Sequence, residues 1–299
     1  GVNGWSEWIM KYSSASTPVE HSVPGVGPMD YGTNHECRIV GTDVQCKGSN
    51  SYGQLGNGTT TSSTSAFVTV DNTDLSSAID VSVGSDFTCA LDGTGSPWCW
   101  GEGKKGRLGN GIGSNPDKAT PYAVITTTVF ISIESGKAHT CALTSTGAIE
   151  CWGDNTLGQM AEDPSAQASR KSPKIPGDIT NEFAGVVFSK VSIGAESDFT
   201  AALLDNGSIA AWGTYNGTQY NDHFVVNSGV ATDIAAGKDH ICYLESGAVT
   251  CVGDNSAGQT TVPTLTNPTS VHAGADWSCA VMADTTYTCW GSKNGWGGY

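Results

Sequence analysis

The chain of 299 residues carries 29 Asp and Glu against 14 Lys and Arg, a formal charge of −15, with 39 glycines and ten cysteines. That balance has the wrong sign for gripping nucleic-acid phosphates or anionic lipid, so neither is an expected partner. No apolar run reaches the ~18 residues that cross a bilayer as a helix, and no sustained helical periodicity occurs, so the composition points to a single all-β, turn-rich domain over residues 1–299.

The chain opens at Gly1 with neither Met nor a basic and apolar leader, and so reads as a processed or excised segment. Residues 1–31 hold no cysteine. From Gly32 onward one pattern recurs: Gly, two residues, His or an aromatic, one residue, Cys, then a second Cys followed by Trp-Gly. Its six copies are "GTNHECRIVGTDVQCKG" from Gly32, "GSDFTCALDGTGSPWCWG" from Gly84, "GKAHTCALTSTGAIECWG" from Gly136, "GAESDFTAALLDNGSIAAWG" from Gly194, "GKDHICYLESGAVTCVG" from Gly237 and "GADWSCAVMADTTYTCWG" from Gly274. Four copies continue into Gly-rich loops, "GSNSYGQLG", "GEGKKGRLG", "GDNTLGQ" and "GDNSAGQ". Fixed-period recurrence of this length signals a ring or array of supersecondary units.

At these residues the chain resembles the regulator of chromosome condensation repeat family, and the likeness runs over nearly its whole length. The resemblance implies a β-propeller; the family's secreted relatives include a β-lactamase inhibitor. Its chromatin-binding members imply a basic face and a nuclear setting, from which this acidic, cysteine-paired sequence departs, so neither chromatin binding nor nucleotide exchange is carried over.

Hairpin geometry explains the cysteines. Cys37 with Cys46 and Cys242 with Cys251 are nine apart and centre on two-residue turns, Gly41-Thr42 and Ser246-Gly247. Cys89 with Cys99, Cys141 with Cys151, and Cys279 with Cys289 are ten apart and centre on three-residue turns. Facing residues at a non-hydrogen-bonded site lie about 4.5 Å apart at Cα, a span a disulfide bridges. The fourth copy carries Ala201 and Ala211 at both cysteine positions, a joint loss expected of bonded pairs and not of separate thiols or metal ligands. Five intra-hairpin disulfides imply an oxidising compartment, hence a secreted or extracellular protein.

The chain left over after Gly291 and before Gly32 together amounts to one inter-repeat connection. Residues 1–31, where "STPVEHSVPGV" looks like the family's outer-strand segment, are therefore expected to complete the last blade and close a six-bladed ring; a seventh blade hidden in that stretch is the alternative. Strand direction then gathers the Gly-rich loops and the G-x-x entry turns on one face, called top, and the hairpin turns on the other. The loop tips vary from copy to copy, either as a recognition surface or because loop tips tolerate change.

Partner-binding candidates on the top face are the aromatics Tyr52, Tyr215 and Trp296, the basic spot Lys104, Lys105 and Arg107, and the varied tip Leu157. Trp5, Trp8 and Tyr299 lie near the closure and read as packing or contact residues. His35, His139 and His240 share a repeat position with Phe87, Phe199 and Trp277, so they read as packed turn residues and not as a metal site. Trp100, Trp152, Trp212 and Trp290 recur with the framework and read as inter-blade packing. The pairs Asp154-Asn155 and Asp254-Asn255 lack the alternating oxygen ligands of a calcium loop and read as turn closers. Asn57, Asn206 and Asn216 begin N-x-[ST] sequons. No catalytic motif stands out and no cofactor is implied. The expected function is that of a protein-binding module, as inhibitor, adhesin or scaffold; surface-glycan binding by exposed aromatics comes second, and a hydrolase or lyase built at the central channel third.

Overall fold

The computed structural model describes residues 26–112, 116–176 and 187–292. Within them the chain forms six antiparallel sheets, each running in chain order. The first holds β1 (Val26–Tyr31), β2 (His35–Val40), β3 (Asp43–Gly48) and β4 (Ser63–Thr69), the second β5 (Asp80–Val83), β6 (Phe87–Leu91), β7 (Pro97–Gly101) and β8 (Lys118–Ala123). The third holds β9 (Phe130–Ser135), β10 (His139–Thr144), β11 (Ile149–Asp154) and β12 (Ser169–Lys174), the fourth β13 (Phe188–Ser192), β14 (Phe199–Leu204), β15 (Ile209–Tyr215) and β16 (Thr218–Asn227). The fifth, β17 (Ala231–Ala236), β18 (His240–Glu245) and β19 (Ala248–Gly253), and the sixth, β20 (Pro268–Ala273), β21 (Trp277–Met282) and β22 (Tyr287–Gly291), have three strands among the described residues.

The strands are short and apolar at the middle of each sheet, where both faces are covered: every residue of β6, β10 and β14 is buried. Burial on two faces places the core between sheets. One cluster joins Cys37, Val44 and Leu55 of the first sheet and its loop to Val81, Ala90 and Trp100 of the second. Comparable clusters join the second to the third, the third to the fourth, the fourth to the fifth and the fifth to the sixth. Tyr31 of the first sheet packs against Trp277 and Cys279 of the sixth, so the order of contacts returns to its start. This is a β-propeller, with six blade sheets among the described residues.

The hairpin registers agree with the cysteine spacing. Cys37 faces Cys46, Cys89 faces Cys99, Cys141 faces Cys151, Cys242 faces Cys251 and Cys279 faces Cys289, each disulfide-bonded with Cα atoms 4.0–4.1 Å apart. Ala201 faces Ala211 at the same site of the fourth blade. Gly95 and Gly147 take the left-handed turn position, and Thr285 takes it in the sixth blade at φ 70°.

One expectation is corrected. Val26–Tyr31 does not belong to the last blade: β1 pairs with β2, Asp30 facing Cys37, as the innermost strand of the first blade. In every blade the innermost strand precedes the G-x-x turn, so a repeat counted from that glycine cuts this strand from its own blade. The part of the closure expectation that concerns residues 1–25 lies outside the described residues, as do Trp5, Trp8, Trp296 and Tyr299.

Candidate functional site

The top face is built by one bond repeated six times. The residue after the glycine at or near the end of each blade's third strand donates its backbone N–H to the entry turn: Ser49 to Asn34 O at 2.8 Å, Glu102 to Asp86 O at 2.9 Å, Asp154 to Ala138 O at 2.9 Å, Thr214 to Asp198 O at 2.9 Å, Asp254 to Asp239 O at 2.9 Å and Ser292 to Asp276 O at 2.8 Å. Each loop therefore starts from a fixed point beside an entry turn.

Three of the four Gly-rich loops are then closed by their own amides. Asn50 Oδ1 accepts from Leu55 N at 2.9 Å, Asn155 Oδ1 from Met160 N at 2.8 Å and Asn255 Oδ1 from Thr260 N at 3.0 Å. Gln54, Gln159 and Gln259 each accept the N–H two residues back, from Tyr52, Leu157 and Ala257. Asn155 and Asn255 are thus turn closers, and Asp154 Oδ2 holds Lys105 Nζ at 2.7 Å. Among the described residues no cluster of His, Cys, Asp or Glu suits a metal ion.

Each loop is also tied to the blade that follows. Trp100 Nε1 donates to Gln54 O at 2.9 Å, Trp152 to Arg107 O at 3.0 Å, Trp212 to Gln159 O at 3.0 Å and Trp290 to Gln259 O at 2.8 Å. The approach is close: a Cβ on Gly56, at φ +69°, would stand 2.7 Å from Trp100 Nε1. Three histidines add a second tie, His35 Nε2 to Thr88 Oγ1 at 2.7 Å, His139 Nε2 to Thr200 Oγ1 at 2.9 Å and His240 Nε2 to Ser278 Oγ at 2.9 Å. Thr88 and Ser278 donate onward to Gln54 O and Gln259 O, so His35 and His240 carry the proton on Nε2 and leave Nδ1 buried without a partner. Burial lowers the pKa of His35 to about 3 and of His139 and His240 to about 4, keeping all three neutral. They sit on separate blades and share no site.

Tyr215 is corrected from surface anchor to core. It is 9 % exposed, its ring centroid 5.0 Å from Phe199 and 5.3 Å from Phe224, and burial raises its hydroxyl pKa. The fourth blade has no Gln-bearing loop and the fifth has Val252 where the second, third, fourth and sixth have Trp, so the usual tie is missing on both sides of this junction. Tyr215 fills that volume, its hydroxyl 2.5 Å from where a Cβ on Gly253 would stand.

Lys104, Lys105 and Arg107 do reach the top face, yet not as an unpaired basic spot. Lys104 Nζ lies 2.8 Å from Glu102, which also binds the Arg107 guanidinium, and Lys105 is held by Asp154. Tyr52 is half-buried with Lys104 Nζ 5.7 Å from its ring centroid, and Leu157 is half-buried at its loop tip. Asn206 and Asn216 are exposed in hairpin turns, and Asn57 is half-buried with Oδ1 accepting from Thr59.

A depression of about 370 Å³ lies where the entry turns meet the loops, lined by Asn34, Asp86, Glu102, Arg107, Lys137 and Lys238 among others. Sequence reasoning passed over the entry-turn residues, although the two positions after each repeat glycine vary in charge: Thr33-Asn34, Ser85-Asp86, Lys137-Ala138, Ala195-Glu196, Lys238-Asp239 and Ala275-Asp276.

The regulator of chromosome condensation (RCC1) repeat matches at residues 46–91 and 94–143, and a second form of the same repeat at 78–107 and 130–159. Residues 46–159 of this chain are thus built of RCC1-type repeats. It is similar to the ultraviolet-B receptor UVR8 of Arabidopsis thaliana, 29 % identical over 184 residues, which is 61 % of this chain and 40 % of that receptor. The chain thus spans under half the length of this curated relative. Among solved structures, Prp20p of Saccharomyces cerevisiae, reported with its binding to Gsp1p and histones, superposes with TM-score 0.73 at 17 % identity over 88 % of this chain and 71 % of that one. The ectodomain of the Arabidopsis thaliana receptor kinase ACR4 gives TM-score 0.56 at 19 % identity over 88 % of this chain and 78 % of that one. Both share the fold of this RCC1-like chain.

Proposed function

We propose that this RCC1-like propeller is a non-enzymatic, extracellular protein-binding module that captures another protein on its top face. The observation that carries the reading is a contrast within each loop. Asn and Gln bonds consume the polar groups of the loop frame in the first, third and fifth blades, and the Glu102–Arg107 pair with the Trp152 bond does so in the second, while the tips they hold, Ser51-Tyr52, Lys104-Lys105, Thr156-Leu157 and Ser256-Ala257, differ between blades and reach solvent. A rigid frame with variable tips lowers the ordering cost of binding. Five disulfides favour the oxidising setting, and an ectodomain shares the fold. The histone and Gsp1p binding of Prp20p supports protein capture by this architecture, while the paired cations here give no basic field for nucleic acid. A glycan platform loses one of its supports with the burial of Tyr215.

The test is a comparison of two variant sets against the partner captured from extracellular fluid. Tyr52→Ala, Lys104→Ala and Leu157→Ala combined should weaken capture tenfold or more with unchanged thermal stability, since interface aromatics and cations carry most of the affinity. Thr94→Ala with Ser145→Ala, on the opposite face, should leave it unchanged. Equal binding by the two sets would overturn the reading.

A further inference from the structure

In the first four blades the strand bearing the second cysteine position is covered by a fourth strand: Cys46 faces Val68, Cys99 faces Tyr122, Cys151 faces Lys174 and Ala211 faces Phe224. The fifth blade stops at β19. Its own continuation, residues 254–267, is fully described and folds instead into the Gln259 loop and an irregular stretch whose Val262 and Leu265 pack on the core. No backbone hydrogen bond from any described residue reaches the outer edge of β19.

Cys242 and Cys251 face each other at the close, non-hydrogen-bonded spacing, Cα atoms 4.1 Å apart. The N–H and C=O groups of Val249, Cys251 and Gly253 therefore point outward. The consequence shows in burial: Cys46, Cys99 and Cys151 are wholly buried, whereas Cys251 is half-exposed. The edge sequence "AVTCVG" contains no charge, no Pro and three β-branched residues, none of the devices by which proteins blunt an open edge.

We propose that β19 is a strand-addition site, completed by an extended segment of another polypeptide that bears Lys or Arg. Charge selects the occupant. From Asp239 to Ser292 the chain has no Lys or Arg, while Asp239, Glu245, Asp254, Asp276 and Asp284 are all acidic. Two of the strands that fill this place elsewhere are basic, β8 with Lys118 and β12 with Arg170, Lys171 and Lys174. Main-chain bonds along the edge supply the attraction and alternate side chains the selectivity, as in other strand-addition complexes. This site is separate from the top-face loops and does not rest on the capture reading.

Amide hydrogen exchange with two synthetic probes tests it, a ten-residue alternating Lys-Val peptide and its Glu-Val counterpart. The Lys-Val peptide should slow exchange at Val249, Cys251 and Gly253 at least tenfold, and the Glu-Val peptide should not. Val249→Pro removes an outward N–H without touching the β18 ladder and should abolish that protection while the β18 amides stay protected. Absence of protection, equal protection by both peptides, or protection retained in Val249→Pro would overturn the proposal. So would protection that grows with protein concentration alone, which would make a second copy the occupant.

Discussion

Three histidines show how a single side chain can be both framework and pH sensor. Unfolded, each takes up a proton near its ordinary pKa of 6.5; folded, burial holds His139 and His240 to about 4 and His35 to about 3. Between these limits the unfolded chain binds more protons, so stability falls as pH drops from 6.5 toward 4 and this contribution levels off below about 3. Each histidine gives a slope of about 1.4 kcal/mol per pH unit. The depressed carboxylates Asp71, Asp92, Asp163, Asp254 and Asp284 lose their contribution only below 3.8, outside that window, while Asp239, raised chiefly by burial, works the other way. Urea midpoints measured from pH 7 to pH 4.5 should fall steadily in the parent and more gently in His139→Gln; parallel curves would remove the histidine from the account.

At the scale of strands, what could be read beforehand followed from local rules. Hairpin registers were legible because cysteines nine or ten apart leave one pairing that brings them together, and Ala201 with Ala211 kept the register where the disulfide is absent. The place of Tyr215 was not legible, because it compensates for a Trp missing from the next blade, a relation between two repeats and not a property of one. The first strand was misplaced because the cysteine motif starts one strand inside each blade. That correction sharpens closure: β22 pairs only with β21 among the described residues, and 3 to 13 residues separate the outer strands of the first four blades from the next blade's inner strand. Residues 1–25, which lead into β1, are the expected suppliers of the sixth blade's outer strand. Deleting them should lower the melting temperature and promote aggregation through the exposed edge. A truncated chain as soluble and heat-resistant as the parent would refute a six-bladed ring closed in this way.

Across the whole molecule, the energetics separate along two directions. Hairpins, disulfide-bonded in every blade but the fourth, hold the blades radially, while apolar clusters and the Trp, His and Gln ties hold neighbours together around the ring. Because those ties end in the loop bases, the top face inherits the rigidity of the core, and the tips are left to differ. The central claim is that this face meets the partner, and a footprint of the captured complex by hydrogen exchange tests it most directly. Slowed exchange should map to the entry turns at 33–34, 85–86 and 137–138 and to the loops holding Tyr52, Lys104 and Leu157. Slowed exchange confined to the hairpin turns at 92–96 and 145–148 on the opposite face would contradict it.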